Sequence, residues 1–212
     1  MTDATLDILY RDDDLLIINK PAGLLTVPGK GPEKQDCLIN RALRPYPNAR
    51  VVHRLDQGTS GIVVFPLNYI TLRNMTKQFE ARGVHKRYVA VVAGLLEQDE
   101  GEVRLPLICD WPNRPLQKVC FESGKAAHTR YQVLERDLDR QTTRVLLEPV
   151  SGRTHQLRVH MLAIGHVILG DQLYAPTEIQ ALAPRLLLHA QHIHFDHPVS
   201  GIPLSVDCPA SF

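Results

Sequence analysis

Among the residues able to do chemistry, Asp56 is the most conspicuous. It sits in HRLDQGTSG, His53 to Gly61, two residues after Arg54 and just before a run of small residues, with no second acidic side chain in the string. Asp followed by Gly, Thr, Ser and Gly has the composition of a turn or a helix cap, because short polar side chains bond nearby amides and glycine tolerates positive φ. The string alone leaves a structural turn and a reactive carboxylate both open.

Histidine is the next candidate. His189, His192, His194 and His197 lie close together, and on a strand His192 and His194 would share a face, as metal ligands can. The stretch equally reads as a polar face alternating with Ile193 and Phe195, and the Cys/His spacings of structural zinc sites are missing. His155 and His160, five apart on an expected helix, point in different directions. No metal is expected. Cations cluster at Arg82, His85, Lys86 and Arg87, at Lys118 with Lys125, and at Arg153 with Arg158; each is either solvated surface or a local anion patch. The G-x-x-x-x-G-K-[ST] phosphate loop is absent and so is the G-x-S-x-G elbow, which removes two common reaction classes.

The elements that must position these residues alternate between strand and helix character. LDILYRDDDLLIINKPAGLLTVPG reads as a β-hairpin followed by an ordered Pro/Gly turn. Leu38, Ile39, Ala42 and Leu43 fall at helical spacing from Asp36 to Leu43, ended by Pro45 and Pro47. RVVHRLDQGTSGIVVF is expected to be strand, loop, strand. Leu72, Met75 and Phe79 predict a helix from Tyr69 to Arg82, closed near Gly83, and KRYVAVVAG a buried strand. QKVCFE, AAHTRYQVLE and TTRVLLEPV predict neighbouring strands of one sheet. In GRTHQLRVHMLAIG the period turns helical, with Leu157, Met161 and Ile164 on one face and Gly165 as the stop; RLLLHAQHIHF and IPLSV return to strand. The expectation is a single α+β domain, residues 1–212, around a mixed, mainly antiparallel sheet with flanking helices and loops.

Composition bounds the class. A chain of 212 residues can bury a substantial core without staples, and the four cysteines are scattered with no C-x-x-C pair, which suits a reduced, cytoplasmic protein. The first residues lack a leader's basic and apolar regions, and no apolar run approaches a membrane span. With a net charge of +1, an anionic partner has to be held by a local patch.

Four segments, INKPAGLLTV (Ile18–Val27), HRLDQGTSG (His53–Gly61), KRYVAVV (Lys86–Val92) and GRTHQLRVHM (Gly152–Met161), resemble in order and character the motifs of the RluA family of RNA pseudouridine synthases. The middle, LPLICDWPNRPLQKVCFESGKAAHTRYQVLE, is similar to the family's small subgroup without an N-terminal S4-like domain, and no such domain is expected here. The chain departs from the family at Val167, where proline commonly follows the histidine. The resemblance implies isomerisation of uridine to pseudouridine in structured RNA, the subgroup's substrates being 23S ribosomal RNA and the transfer RNA anticodon stem-loop. It implies that neither cofactor nor metal is needed; a monomer is expected. Asp56 is then the catalytic residue, either attacking C1′ of the ribose or taking a proton from C2′. Tyr88 stacks on the uracil, Arg158 pairs with the aspartate, Leu157 forms an apolar wall, and Arg54 fills the gap left by the flipped nucleotide; Lys86, Arg87 and Arg153 are expected to contact RNA. Glycosidases use two carboxylates to hydrolyse a sugar linkage, whereas here the base is rejoined and no water is consumed, so one carboxylate suffices. The rivals are a non-catalytic RNA-binding or RNA-folding factor on the same fold, and a metal-dependent hydrolase built on His189–His197.

Overall fold

A computed structural model describes residues 6–212; the reading of the first residues as free of a leader begins outside them. The fold is α+β on a mixed, mainly antiparallel sheet, in two compact units: one runs to Lys86 and takes in Ala190–Ser211, the other is Arg87–His189 with Phe212.

In the first unit, β1 (Ile8–Arg11) and β2 (Leu15–Lys20) form the expected antiparallel hairpin. Asp12 makes its turn by accepting the backbone N–H groups of Asp14 and Leu15 through Oδ1. The chain continues through α1 (Leu38–Leu43), β3 (Ser60–Pro66) and α2 (Tyr69–Glu80). β3 pairs along all of β2, from Leu15 opposite Pro66 to Lys20 opposite Gly61. α2 starts at an Asn68 cap that accepts the Thr71 N–H. Its left-handed closing residue is Arg82 (φ 59), one place before the expected Gly83. Arg50–His53, expected to be a strand, has no ladder: the N–H of Val64 is taken by the His53 imidazole, and Arg50 N–H reaches Pro66 O, so the segment is tied to β3 by isolated bonds.

The chain enters the second unit along β4 (His85–Ala93) and forms β5 (Glu100–Val103), β6 (Leu107–Cys109), β7 (Gln117–Val119), β8 (Thr129–Asp137) and β9 (Thr142–Pro149). β4 pairs with β9, β9 with β8 and β8 with β5, all antiparallel. QKVCFE does not join this sheet. Its strand β7 pairs with β6 in a separate two-stranded ribbon, because the Pro-rich LPLICDWPNRP just before it holds β6, its partner. α3 (Gln156–Ala163) presents Leu157, Met161 and Ile164, as expected, to Ala90, Val92, Val145 and Leu147, and Gly165 (φ 87) follows its end. Val167 is accommodated without proline: its carbonyl accepts the Ala93 N–H, and Ile168 bridges Val92. After α4 (Thr177–Gln180), β10 (Leu188–Asp196) returns the chain to the first unit, where it lies beside β3 and pairs antiparallel with β11 (Pro203–Asp207). The first unit's core joins Leu15, Ile17, Ile62, Val64, Met75, Ile193 and Phe195.

Candidate active site

Asp56 is half-buried on the loop that leads into β3. The register that sets Lys20 opposite Gly61 brings the end of β2 to that loop. Lys20 is completely buried, and its ammonium donates to the carbonyls of Pro21 (2.9 Å), Leu24 (2.7 Å) and Gln57 (3.2 Å). Thr26 clamps the residue before Asp56 from both sides, donating to Leu55 O at 2.8 Å and accepting Leu55 N–H at 3.1 Å. Gly23 N–H meets Gln57 O, and Gln57 Nε2 returns a bond to Gly23 O. INKPAGLLT therefore holds the Asp56 loop in place. Desolvation pushes the Lys20 pKa down to about 8, opposed by the negative charge of Asp56. His53 is no acid or base for the reaction: burial first, then the Lys86 charge, push its pKa down to about 3, and the neutral ring accepts from Val64 N–H and packs 5.1 Å from Phe79. Arg54 is exposed. Lys86 is half-buried, its Nζ 5.7 Å from the Phe79 ring centre, with a pKa lowered by burial.

In the second unit Tyr88 lies on the same face of β4 as Ala90 and Val92 and packs on their cluster. Leu157 is a member of that core. Arg87 is exposed and pairs with Glu148 at 2.8 Å; Arg153, also exposed, donates to Ala126 O. Arg158 is buried and bound through two parallel bonds to Asp171, Nε to Oδ2 at 2.7 Å and Nη2 to Oδ1 at 2.6 Å. Gln156 seats the start of α3: its amide oxygen accepts from Ser151 and Arg153, and its nitrogen donates to His128 O and Thr129. His160, its pKa lowered by burial, donates from Nε2 to Leu105 O, which can only accept, and so accepts a hydrogen bond from the Thr129 hydroxyl at Nδ1.

A family profile described as RNA pseudouridylate synthase matches residues 14–163, a span that takes in every motif described above. The chain belongs to that family. It is 53% identical over 205 residues to the dual-specificity RNA pseudouridine synthase RluA of Yersinia pestis, covering 97% of this chain and 99% of that one. The Escherichia coli (strain K12) protein of the same name is 53% identical over 207 residues, 98% of this chain and 94% of that one. In structure it is similar to human RNA pseudouridylate synthase domain containing 1, with a TM-score of 0.84 and 28% identity over all of this chain and 86% of that one. The protein is an RNA pseudouridine synthase, isomerising uridine to pseudouridine in RNA.

In this pseudouridine synthase His192 and His194 of β10 serve strand pairing. His192 bonds Asp207 and His194 bonds Ser205, each across to β11, and His197 donates to Asp12 at 3.0 Å. Asp12, Asp14 and His197 bring their ligand-type atoms within 4.8 Å of one another, but Tyr10, Asn68 and Thr71 donate into the same carboxylates. Sequence reasoning missed Lys20, Asp171 and Tyr174. Lys20 was inside a quoted motif; its signal is a lysine ending an otherwise apolar strand, LLIINK. Asp171 and Tyr174 lie in GDQLY, where a lone acid after VILG is the only hint of a buried partner.

Proposed function

We propose that Asp56 is the catalytic residue of the isomerisation, supported by Tyr88, Arg158 and Leu157, with Arg54, Lys86, Arg87 and Arg153 toward the RNA. The C1′–N1 bond of the target uridine breaks, the uracil turns while held, and a C1′–C5 bond forms as the C5 proton is lost and N1 gains one, so the product is an isomer. Asp56 either attacks C1′ and is displaced by C5, or removes and returns a C2′ proton. The observation that carries this assignment is the loop itself: a single carboxylate, clamped through Leu55 and Gln57, on a loop that also accepts a bond from the buried Lys20 ammonium. A flipped nucleotide would stack on Tyr88, and exposed Arg54 has the reach to replace it in the RNA stack.

The substrates in this reading are 23S ribosomal RNA and the anticodon stem-loop of transfer RNA, supported by the subgroup resemblance and by relatives whose name carries dual specificity. The reading is of a cofactor-independent monomer in the cytoplasm, with residues 1–212 as one catalytic domain. Pseudouridine mapping of RNA from cells with and without the gene, complemented by wild type or Asp56→Asn, tests it. Specific sites should vanish in the deletion and return with wild type only. Purified Asp56→Asn should bind RNA within about threefold of wild type while product formation drops by at least roughly 10^3-fold, the scale for removing a reacting group. Full activity in Asp56→Asn would overturn the assignment.

A further inference from the structure

Arg158 and Asp171 are a buried ion pair of unusual completeness. Asp171 is 0% exposed and Arg158 5%. Beyond the two bonds to the guanidinium, Asp171 Oδ1 accepts the backbone N–H groups of Leu173 (3.0 Å) and Tyr174 (3.2 Å), so the carboxylate is fixed by the turn that carries it. Tyr174 closes the arrangement. Its ring centre lies 5.0 Å from Arg158 Cζ, and its hydroxyl bonds His155 Nδ1 at 2.7 Å and the backbone N–H of Gln117 at 2.8 Å. His155 itself holds a left-handed backbone (φ 54) just before α3. A planar guanidinium gripped along its Nε/Nη2 edge and stacked on a ring keeps one orientation, with its other edge directed away from Asp171.

Two charges removed from water cost more than an apolar pair of similar volume, so packing alone gives no reason for this pair. Orientation does. We propose that Asp171 is a positioning residue for the isomerisation: it fixes the Arg158 guanidinium over Tyr174 in the pose in which Arg158 serves the reaction. The inference rests on the proposed role of Arg158 in the reaction, and adds a residue that acts only through it.

A kinetic double-mutant cycle on the full chain tests this, using single-turnover pseudouridine formation in RNA from cells lacking the gene, with RNA affinity measured alongside. Asp171→Asn, which keeps size and one acceptor, should slow the chemical step about 10^2-fold, the scale for misplacing a reacting group, with RNA affinity within threefold. Arg158→Met should be at least as slow, and Arg158→Met with Asp171→Asn no slower than Arg158→Met alone. Arg158→Met with Asp171→Leu replaces both charges by apolar groups, so it reads the same comparison if Asp171→Asn does not fold. A folded Asp171→Asn within threefold of the wild-type rate overturns the positioning role, as does a further tenfold loss when Asp171 is removed from Arg158→Met. An Arg158→Met enzyme at the wild-type rate instead overturns the underlying reading of Arg158.

Discussion

A lysine ammonium out of water has to be met by oxygen, and Lys20 meets the carbonyls of Pro21, Leu24 and Gln57. Because burial brings its pKa from 10.5 to about 8, the unfolded chain binds more protons than the folded one between those values. The penalty for burying the charged form is therefore fully present below about pH 8 and is relieved as pH rises toward 10.5. Stability from this group should rise across that window while the chemical step slows, since Asp56 loses its opposing charge. Lys20→Met should remove both trends and lower the neutral-pH rate about tenfold, the order expected when a loop that positions a reacting group loses a buried anchor. Denaturant melts and single-turnover rates from pH 7 to 10 check it; an unchanged alkaline limb in Lys20→Met would assign that limb elsewhere. At this scale the motif named Asp56 from the sequence, but not Lys20 or Asp171. Their importance comes from burial and pairing, which a residue's type does not reveal.

At the scale of elements, a glycine decides how closely two strands approach. Gly61 has φ 108 in β3, and a Cβ built there would lie 2.2 Å from Ala190 O on β10. Gly61→Ala thus combines backbone strain with a clash against another backbone, and should destabilise the protein by about 3 kcal/mol or more, read as a lower urea midpoint. Helix α3 was legible, because Leu157, Met161 and Ile164 recur at helical spacing against a strand face that alternates through Ala90 and Val92. Arg50–His53 was not: Val51 and Val52 have strand propensity, but the backbone partner they would need at Val64 is replaced by the His53 ring. β7 was seen as a strand and given the wrong sheet, because periodicity reports a strand's faces and says nothing about its neighbour.

For the whole molecule, a net charge of +1 limits how much RNA affinity can come from phosphate neutralisation. Recognition led by loop shape and flipped bases should give a shallow salt dependence, with log affinity against log salt falling with a slope of magnitude below about 4. A slope near 8 in filter-binding titrations would show many phosphate contacts instead. The sequence by itself determined the family, the α+β class and the candidate carboxylate, because these rest on local strings and periodic apolar positions that the chain carries whatever its partners. Tertiary structure decided what holds those strings: the Lys20 bond to Gln57, the Thr26 clamp on Leu55 and the Asp171 grip on Arg158 join residues 37, 29 and 13 apart. Such bonds form only where a sheet register or a buried turn brings donor to acceptor, and no spacing in the sequence encodes that approach.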